Sequence, residues 1–533
     1  MLERKVGRMR FKNWTPLAVV ATAGLVVSAC GSSSSATQNS KSTSATKAPV
    51  LTIAELSPPL SFDPSAAANG NFDIQFISPA YSSLIQYNTK GQMVPGLATK
   101  WGYVGSGSTK FEITLRPNIK FANGTPLTAQ DVVASMDHYK KGSGPGSPFF
   151  KDITASASGT NTVILTSSKP NPFIATLLTP KWMAGDIVSP AGLANPSLLK
   201  SGTYGAGKYQ VDQTQSTPGS QYVYVPNKYY YNQSGIHFSK IVVKIIPSET
   251  SELEALKSGQ IEEMYANAPT ASAAQSVSGL SVIAKPVSWD GLIILDHNGV
   301  VTPALSHVRV RQALNYAVDR SAIVKAVYGK WGSPTEEATT PGPGYGFTSK
   351  INSTYSYDPA KAKQLLAAAG YPHGFTFTAL DRSELPGENA MMQAVASQLS
   401  QIGVTLNLKP ELTIGAWVPR LISKHYPATG NATSGKPAVM TVPYLWLPGG
   451  IFNVFGNTNP TIAAAYQNLL NAPSTSQSSL ADQIMQQSVT QALDVPIVGV
   501  DDIFIYNTNK LSGVQFDANA PFLTTIENWT PKA

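Results

Sequence analysis

The 533-residue sequence is short of cysteine, histidine and charge, and each shortage excludes something. Cys30 is the sole cysteine, so no disulfide can close within the chain and no thiolate-rich metal centre can form. His138, His237, His297, His307, His373 and His425 are scattered, without the close helical spacing of a preformed ligand pair. No metal and no cofactor is expected. Neither a Gly-x-Ser-x-Gly elbow nor a paired zinc-binding histidine motif occurs, so a secreted hydrolase would need its acids and nucleophile to converge from distant segments. Charged residues make up only 13% of the chain. A surface so dominated by neutral polar groups suits an acidic habitat, where fewer carboxylates must be neutralised. No basic cluster interleaved with aromatics appears, so nucleic acid is not an expected partner.

What is present begins with an export pattern. Arg4, Lys5, Arg8, Arg10 and Lys12 precede an apolar run from Leu17 to Val27, followed by Ser28, Ala29, Cys30 and Gly31. That run is too short to span a bilayer comfortably, and small residues sit at its end. Residues 1–29 therefore read as a lipoprotein signal peptide and Cys30 as the lipid-bearing first residue of the mature chain. Residues 30–47, rich in Ser, Thr and Ala, read as a flexible tether. Removing the signal leaves 34 basic and 30 acidic residues, a balance of +4 instead of +8. Much of the precursor's basicity is thus signal. The remaining body exceeds one comfortable hydrophobic core and predicts two or three lobes.

Along that body, strands and helices mix. Val50–Leu56, Lys110–Arg116, Asp152–Ala157, Thr162–Ser167, Gln221–Val225, Ile241–Ile246, Phe375–Ala379, Val404–Lys409 and Ala438–Trp446 read as strands. Phe72–Ile85 reads as partly helical and interrupted at Pro79. Thr128 and Asp131 have capping-box spacing ahead of a helix buried through Val132, Val133 and Met136. Ser248–Gly259, Ala360–Ala369, Ala394–Ile402 and Leu480–Gln491 read as further helices. The Leu295–Lys325 stretch holds another, with Val310, Ala313, Leu314, Ala317 and Val318 inward. Arg309, Arg311, Gln312 and Asn315 occupy the opposite face, and Ser306 is the expected cap. The glycines of Ser201–Tyr209 lack the Gly-Lys-Ser/Thr ending of a phosphate loop. The mixture favours α/β lobes over an all-β barrel.

Five stretches, taken in order, resemble one family. They are Ala98–Val133 (ATKWGYVGSGSTKFEITLRPNIKFANGTPLTAQDVV), Gly202–Tyr209, Leu253–Glu263 (LEALKSGQIEE), Asn298 with Val308–Arg320 (VRVRQALNYAVDR), and Tyr357–Gly370. Together they resemble the family 5 extracellular solute-binding proteins, the peptide- and nickel-binding components of ABC importers. Ala206, Gly207 and Lys208 depart from that family's Gly-Thr-Gly-Pro-Tyr element. The resemblance implies a type II periplasmic-binding-protein-like α/β fold: two hinged α/β lobes with an extra β-rich lobe inserted in the first. Its expected parts are lobe I at 48–76, 190–289 and 503–533, the inserted lobe II at 77–189, and lobe III at 290–502. The implied function is capture of an oligopeptide or similar solute by cleft closure and delivery to an ABC importer permease. The protein would be a monomer held by its lipid at the extracytoplasmic face of the cell membrane. It would not be an enzyme.

Matching positions nominate ligand contacts: Phe62 and Asp63 after the first strand, Tyr81, Asn298 beside the hinge, and Tyr444 with Trp446 in the second lobe. Aromatic rings would form walls and Asn298 would bond the ligand or hold the hinge. Each has a plainer alternative as a core ring, a turn cap or a strand residue. One departure bears on the ligand. Peptide binders of this family carry an acidic residue after the second-lobe aromatics, whereas Tyr444–Phe452 (YLWLPGGIF) has no carboxylate. A buried peptide ammonium would lack its counter-charge there. A neutral, modified or cyclic peptide, a sugar-like solute and, less readily, a nickel chelate are the alternatives.

Overall fold

A computed structural model describes residues 49–67, 71–88, 90–342, 344–351, 353–383, 385, 387–516 and 525–532. The signal peptide, Cys30 and the tether lie outside the described residues. The backbone is organised by a twelve-stranded mixed sheet with two halves. In the first half, Val50–Glu55 buries Leu51 and Ile53 and runs parallel to Lys240–Ile245 and Glu263–Ala266. Gln221–Pro226 and Tyr209–Val211 extend it antiparallel to the edge. In the second half, Thr376–Asp381 lies parallel to both Thr405–Pro410 and Ala428–Gly430.

Two long antiparallel strands, Leu280–Ile294 and Val495–Asn507, belong to both halves. Glu263–Ala266 pairs with Val495–Asn507 at Ile503–Tyr506, on the first side. On the second side, Gly332–Pro334 pairs at Val498–Val500, while Thr433–Ser434 and Ala428–Gly430 pair with the Ser288–Ile294 end of its partner. Between those pairings, Lys285 faces Asp502 and Pro286 faces Asp501; among the described residues no third strand joins the ladder there, and Asp501 N–H donates to Trp331 O at 3.4 Å. The register shifts between Pro286 and Ser288. Proline has no N–H to donate, so the ladder is thinnest at this crossing.

A separate four-stranded antiparallel sheet, ordered Ala98–Tyr103, Lys110–Leu115, Thr162–Ser167, Ile153–Ser158, falls between the first strand and Tyr209 in the chain. Helix Ala129–Lys140 packs on it, buried through Val132 and Met136. Its capping box forms as expected: Thr128 Oγ1 accepts from Asp131 N–H at 3.4 Å, and Asp131 Oδ2 accepts from Thr128 N–H at 2.8 Å. The glycines of Ser201–Tyr209 serve packing. A Cβ on Gly207 would come within 2.3 Å of the Ala80 carbonyl carbon.

Three expectations are corrected. Ala438–Leu445 is a helix, not a strand, despite its branched residues and Pro443; most of its side chains are buried, and burial overrides propensity. The central helix, Val308–Tyr316, starts after His307 without a side-chain cap, because Ser306 Oγ donates to Pro303 O. Asn315 is buried and donates to Asp494 O at 3.1 Å, and Arg311 is not on a solvent face either. Arg311 is buried and donates to the carbonyls of Leu305, Gln491 and Ala492 at 2.8–3.1 Å, the last two just beyond helix Ser474–Thr490. Unpaired carbonyls at a helix C-terminus attract a cation, which repays part of the cost of burying one.

Several carboxyls are buried, and burial is the largest influence on each. Glu388 sits against Gly430, where a Cβ would meet its Oε1 at 2.2 Å. Among the described residues no amide or hydroxyl donates to either Glu388 oxygen, and its side-chain hydrogen-bond partner is the Asp290 carboxyl. Burial, and then the Asp290 carboxylate, push Glu388 well above its ordinary pKa; burial takes Asp290 up to about 6. Burial also raises Glu252 to about 8 and puts Glu55 and Glu263 well above the usual range. Such groups hold protons in the folded chain that the unfolded chain has released. Their stabilisation is therefore present below about pH 4 and lost as pH rises through the folded values. His297, pushed down to about 3 by burial and by Arg311, works the other way, but Glu388, Asp290, Glu252, Glu55 and Glu263 outnumber it. Resistance to urea should fall between about pH 5 and pH 8, and Glu388→Gln should flatten that fall and add at least about 1 kcal/mol at pH 8. A midpoint that climbs steadily over this range contradicts the assignment.

Candidate functional site

The six nominated residues do not converge. Phe62 is fully buried, with its ring edge-on to Tyr222 at 5.5 Å and Tyr224 at 6.4 Å. Asp63 caps the 3-10 turn Pro64–Ala66 through Ser65 N–H at 2.9 Å and pairs with His138 at 2.7 Å. That histidine and the Ser65 amide hold its pKa below the ordinary value against the opposing effect of burial. Tyr81 is buried, and its hydroxyl accepts from Tyr204 N–H at 3.0 Å. Asn298 is exposed, its N–H donating to Asn457 Oδ1 at 3.2 Å. Trp446 is buried and donates from Nε1 to Asp494 Oδ2 at 2.8 Å, while Asp494 Oδ1 accepts from Ile294 N–H at 3.0 Å. Trp446 borders a cavity of only about 10 Å³, room for one water at most.

Tyr444 differs. Near the C-terminal end of helix Ala438–Leu445, it is half-buried, edge-on to Phe452 at 5.3 Å, with Lys436 Nζ over its ring at 4.4 Å. Lys436 follows Thr433–Ser434, the short strand that meets the long crossover strand beside its register shift. Gly435 N–H donates to Val287 O at 2.7 Å, tying this loop to the crossing. From the other side comes Lys181, on the turn whose Trp182 carbonyl accepts from Tyr139 of helix Ala129–Lys140. Its Nζ donates to Tyr345 Oη and to Gly435 O, each at 3.2 Å. The segment around the four-stranded sheet is thereby joined directly to the second half of the main sheet.

Cations dominate this junction. Burial takes Lys181 down to about 8, partly offset by Asp502; burial and the Lys181 charge take Lys436 to about 7. Arg382 lies over Trp417 at 5.3 Å and donates to Asn431 Oδ1 at 3.2 Å. Asp502 accepts from the Tyr265 hydroxyl at 3.2 Å, and its charge with burial raises neighbouring Asp501 to about 6. Sequence reasoning missed Lys181, Lys436 and Tyr345. The available signal was the carboxylate-free Tyr444–Phe452 stretch with a lysine eight residues ahead of Tyr444. A larger concavity, about 450 Å³, opens elsewhere, between Phe121–Asn123, Gly202–Tyr204 and Gln210–Gln213. No group of histidine, cysteine and carboxylate side chains among the described residues is arranged to hold a metal ion.

Two sheet halves crossed by two strands, with a polar junction between them, is the geometry of a hinged binding protein. Residues 92–450 match the family described as bacterial extracellular solute-binding proteins, family 5 Middle. The chain belongs to that family. Its members are binding proteins of ABC importers for peptides and related ligands, not enzymes, and they act outside the cytoplasm. Among relatives of this solute-binding protein, heme-binding protein A of Haemophilus influenzae is 27% identical over 429 residues, covering 73% of this chain and 75% of the relative. The probable D,D-dipeptide-binding periplasmic protein of Escherichia coli is 27% identical over 401 residues, 69% of this chain and 75% of that one. In fold, the chain is similar to an Agrobacterium-type binding protein (A. tumefacien R10) in complex with agropinic acid, with TM-score 0.74 and 22% identity over 91% of this chain and 99% of that one. A murein tripeptide binding protein in its unliganded open form also gives TM-score 0.74 at 22% identity, over 91% and 98%.

Trp446→Phe keeps an aromatic side chain, smaller than the indole, and deletes the donor to Asp494. It should cost about 1–3 kcal/mol in chemical unfolding. An unchanged midpoint would show that the bond adds nothing to this lobe.

Proposed function

We propose that this chain is the lipid-anchored solute receptor of an ABC importer. Cys30 carries the lipid, residues 30–47 reach away from the membrane, and the body closes on an oligopeptide or similar solute. The closed form then engages the permease. The observation that carries this reading is the narrow crossing at Lys285–Pro286 and Asp501–Asp502, where among the described residues no third strand joins the ladder, spanned by Lys181 donating to Tyr345 and Gly435. A ladder two strands wide bends more readily than the multi-strand regions on either side, and the contact across it can exist only when the two sides are close.

Tyr444 is the nominated residue best suited to touch the solute, since its ring is half-buried beside this junction. Asn298, exposed just beyond the first crossover strand, suits a hinge role. A non-peptide solute is the second reading. It is supported by the missing carboxylate in Tyr444–Phe452 and the lysines nearby, which disfavour a free peptide ammonium.

The full chain, purified in detergent without refolding, should retain a small molecule detectable by native mass spectrometry. Tyr444→Ala should weaken binding of that molecule by about tenfold. A chain that arrives empty and shows no fluorescence change with short peptides or organic acids would overturn the capture reading.

A further inference from the structure

Lys181 and Lys436 meet at the junction between the two sheet halves, and their bonding is incomplete. An ammonium carries three donors. Lys181 spends two, on Tyr345 Oη and Gly435 O; Lys436 spends one, on Ser434 O at 2.9 Å. Neither is paired with a carboxylate among the described residues in the way that His138–Asp63, Lys257–Glu254 and Arg420–Glu411 are. The two are close enough to repel, since the Lys181 charge lowers the Lys436 pKa. Their neighbours add no neutralising group beyond one. The helix carrying Tyr444 presents a ring, the segment after Thr376–Asp381 presents Arg382, and the second crossover strand presents Asp502, whose charge acts on Lys181.

Both residues are half-buried, so part of each is still open to solvent. Their flanks are flat rings: Trp182 and Tyr345 beside Lys181, Tyr444 beside Lys436. Two ammoniums held side by side at low exposure are costly unless an anion comes between them, and each then gains a charge-assisted bond. We propose that Lys181 and Lys436 form a subsite for a carboxylate of the captured solute, bridging the two sides of the junction and holding the closed form. This rests on the solute-receptor reading above and adds the ligand's charge to it. An amide or an ammonium at the same place would leave both cations uncompensated.

The test uses the full chain in detergent, with ¹³C-labelled lysine followed by NMR as pH is varied. The probes are succinate, uncharged succinamide and inorganic phosphate. Succinate should raise the protonation midpoint of Lys436 by about one unit, equivalent to about tenfold tighter binding to the protonated form, and succinamide should leave it in place. Because the anion prefers that protonated form, succinate affinity should fall as pH rises above about 7. Lys181→Met should abolish the shift at Lys436. Lys436→Gln should abolish any shift at Lys181, so either variant suffices if the other does not fold. No shift with succinate at millimolar concentration overturns the subsite, as does a shift with phosphate alone. Short peptides presented as free acids and as C-terminal amides separate the two readings. Equal affinity for both, unchanged by Lys436→Gln, overturns the carboxylate subsite while solute capture stands. Failure to bind any peptide or acid overturns capture itself.

Discussion

Everything distinctive in this molecule depends on the pairing of two long strands, Leu280–Ile294 with Val495–Asn507. They are the shared spine of both sheet halves, so neither half can be complete without them. At Pro286 and Asp501 the spine narrows to its own two strands, and a proline withholds a donor at that point. A sheet many strands wide resists bending because each strand's bonds brace the next. A two-strand crossing does not, and the loop Ser434–Lys436 and the Lys181 contact sit just where bending would be felt.

Around that spine, polar groups are buried on unusual terms. Arg311 and Arg320 give their guanidinium donors chiefly to backbone carbonyls, stitching the central helices to the end of Ser474–Thr490 and to Pro496. Glu388 and Asp290 share an interior where burial and their mutual repulsion outweigh the Arg382 charge, which is tolerable only while protons remain bound. The lysines at the junction follow the opposite logic: partly reachable by water, they are poised to gain a charge partner from outside.

Much of the fold was legible in the sequence because the signals were local. The Thr128–Asp131 capping box, the Asp358–Pro359 helix start and the alternating strand at Lys110–Leu115 all formed where spacing put them. The family resemblance supplied the architecture. What was not legible depended on tertiary partners. Ala438–Leu445 has branched residues and a proline that argue against helix, and only its packing settles the matter. Arg311 looked solvent-facing because no sequence rule reveals that carbonyls near residue 491 await it. Of the site, Tyr444 could be nominated from its position, but Lys181 lies more than 250 residues from the carbonyl it meets, beyond any local pattern.

The central claim is that the two sheet halves close about the crossing when solute binds. The direct measurement is the distance between spin labels at Glu112→Cys, on the four-stranded sheet, and Lys409→Cys, in the second half, in a chain carrying Cys30→Ser. The account predicts that a mixture of short peptides and small organic acids narrows the distribution and moves it to shorter distance. A distribution identical with and without the mixture, under conditions where a molecule is demonstrably bound, would contradict it.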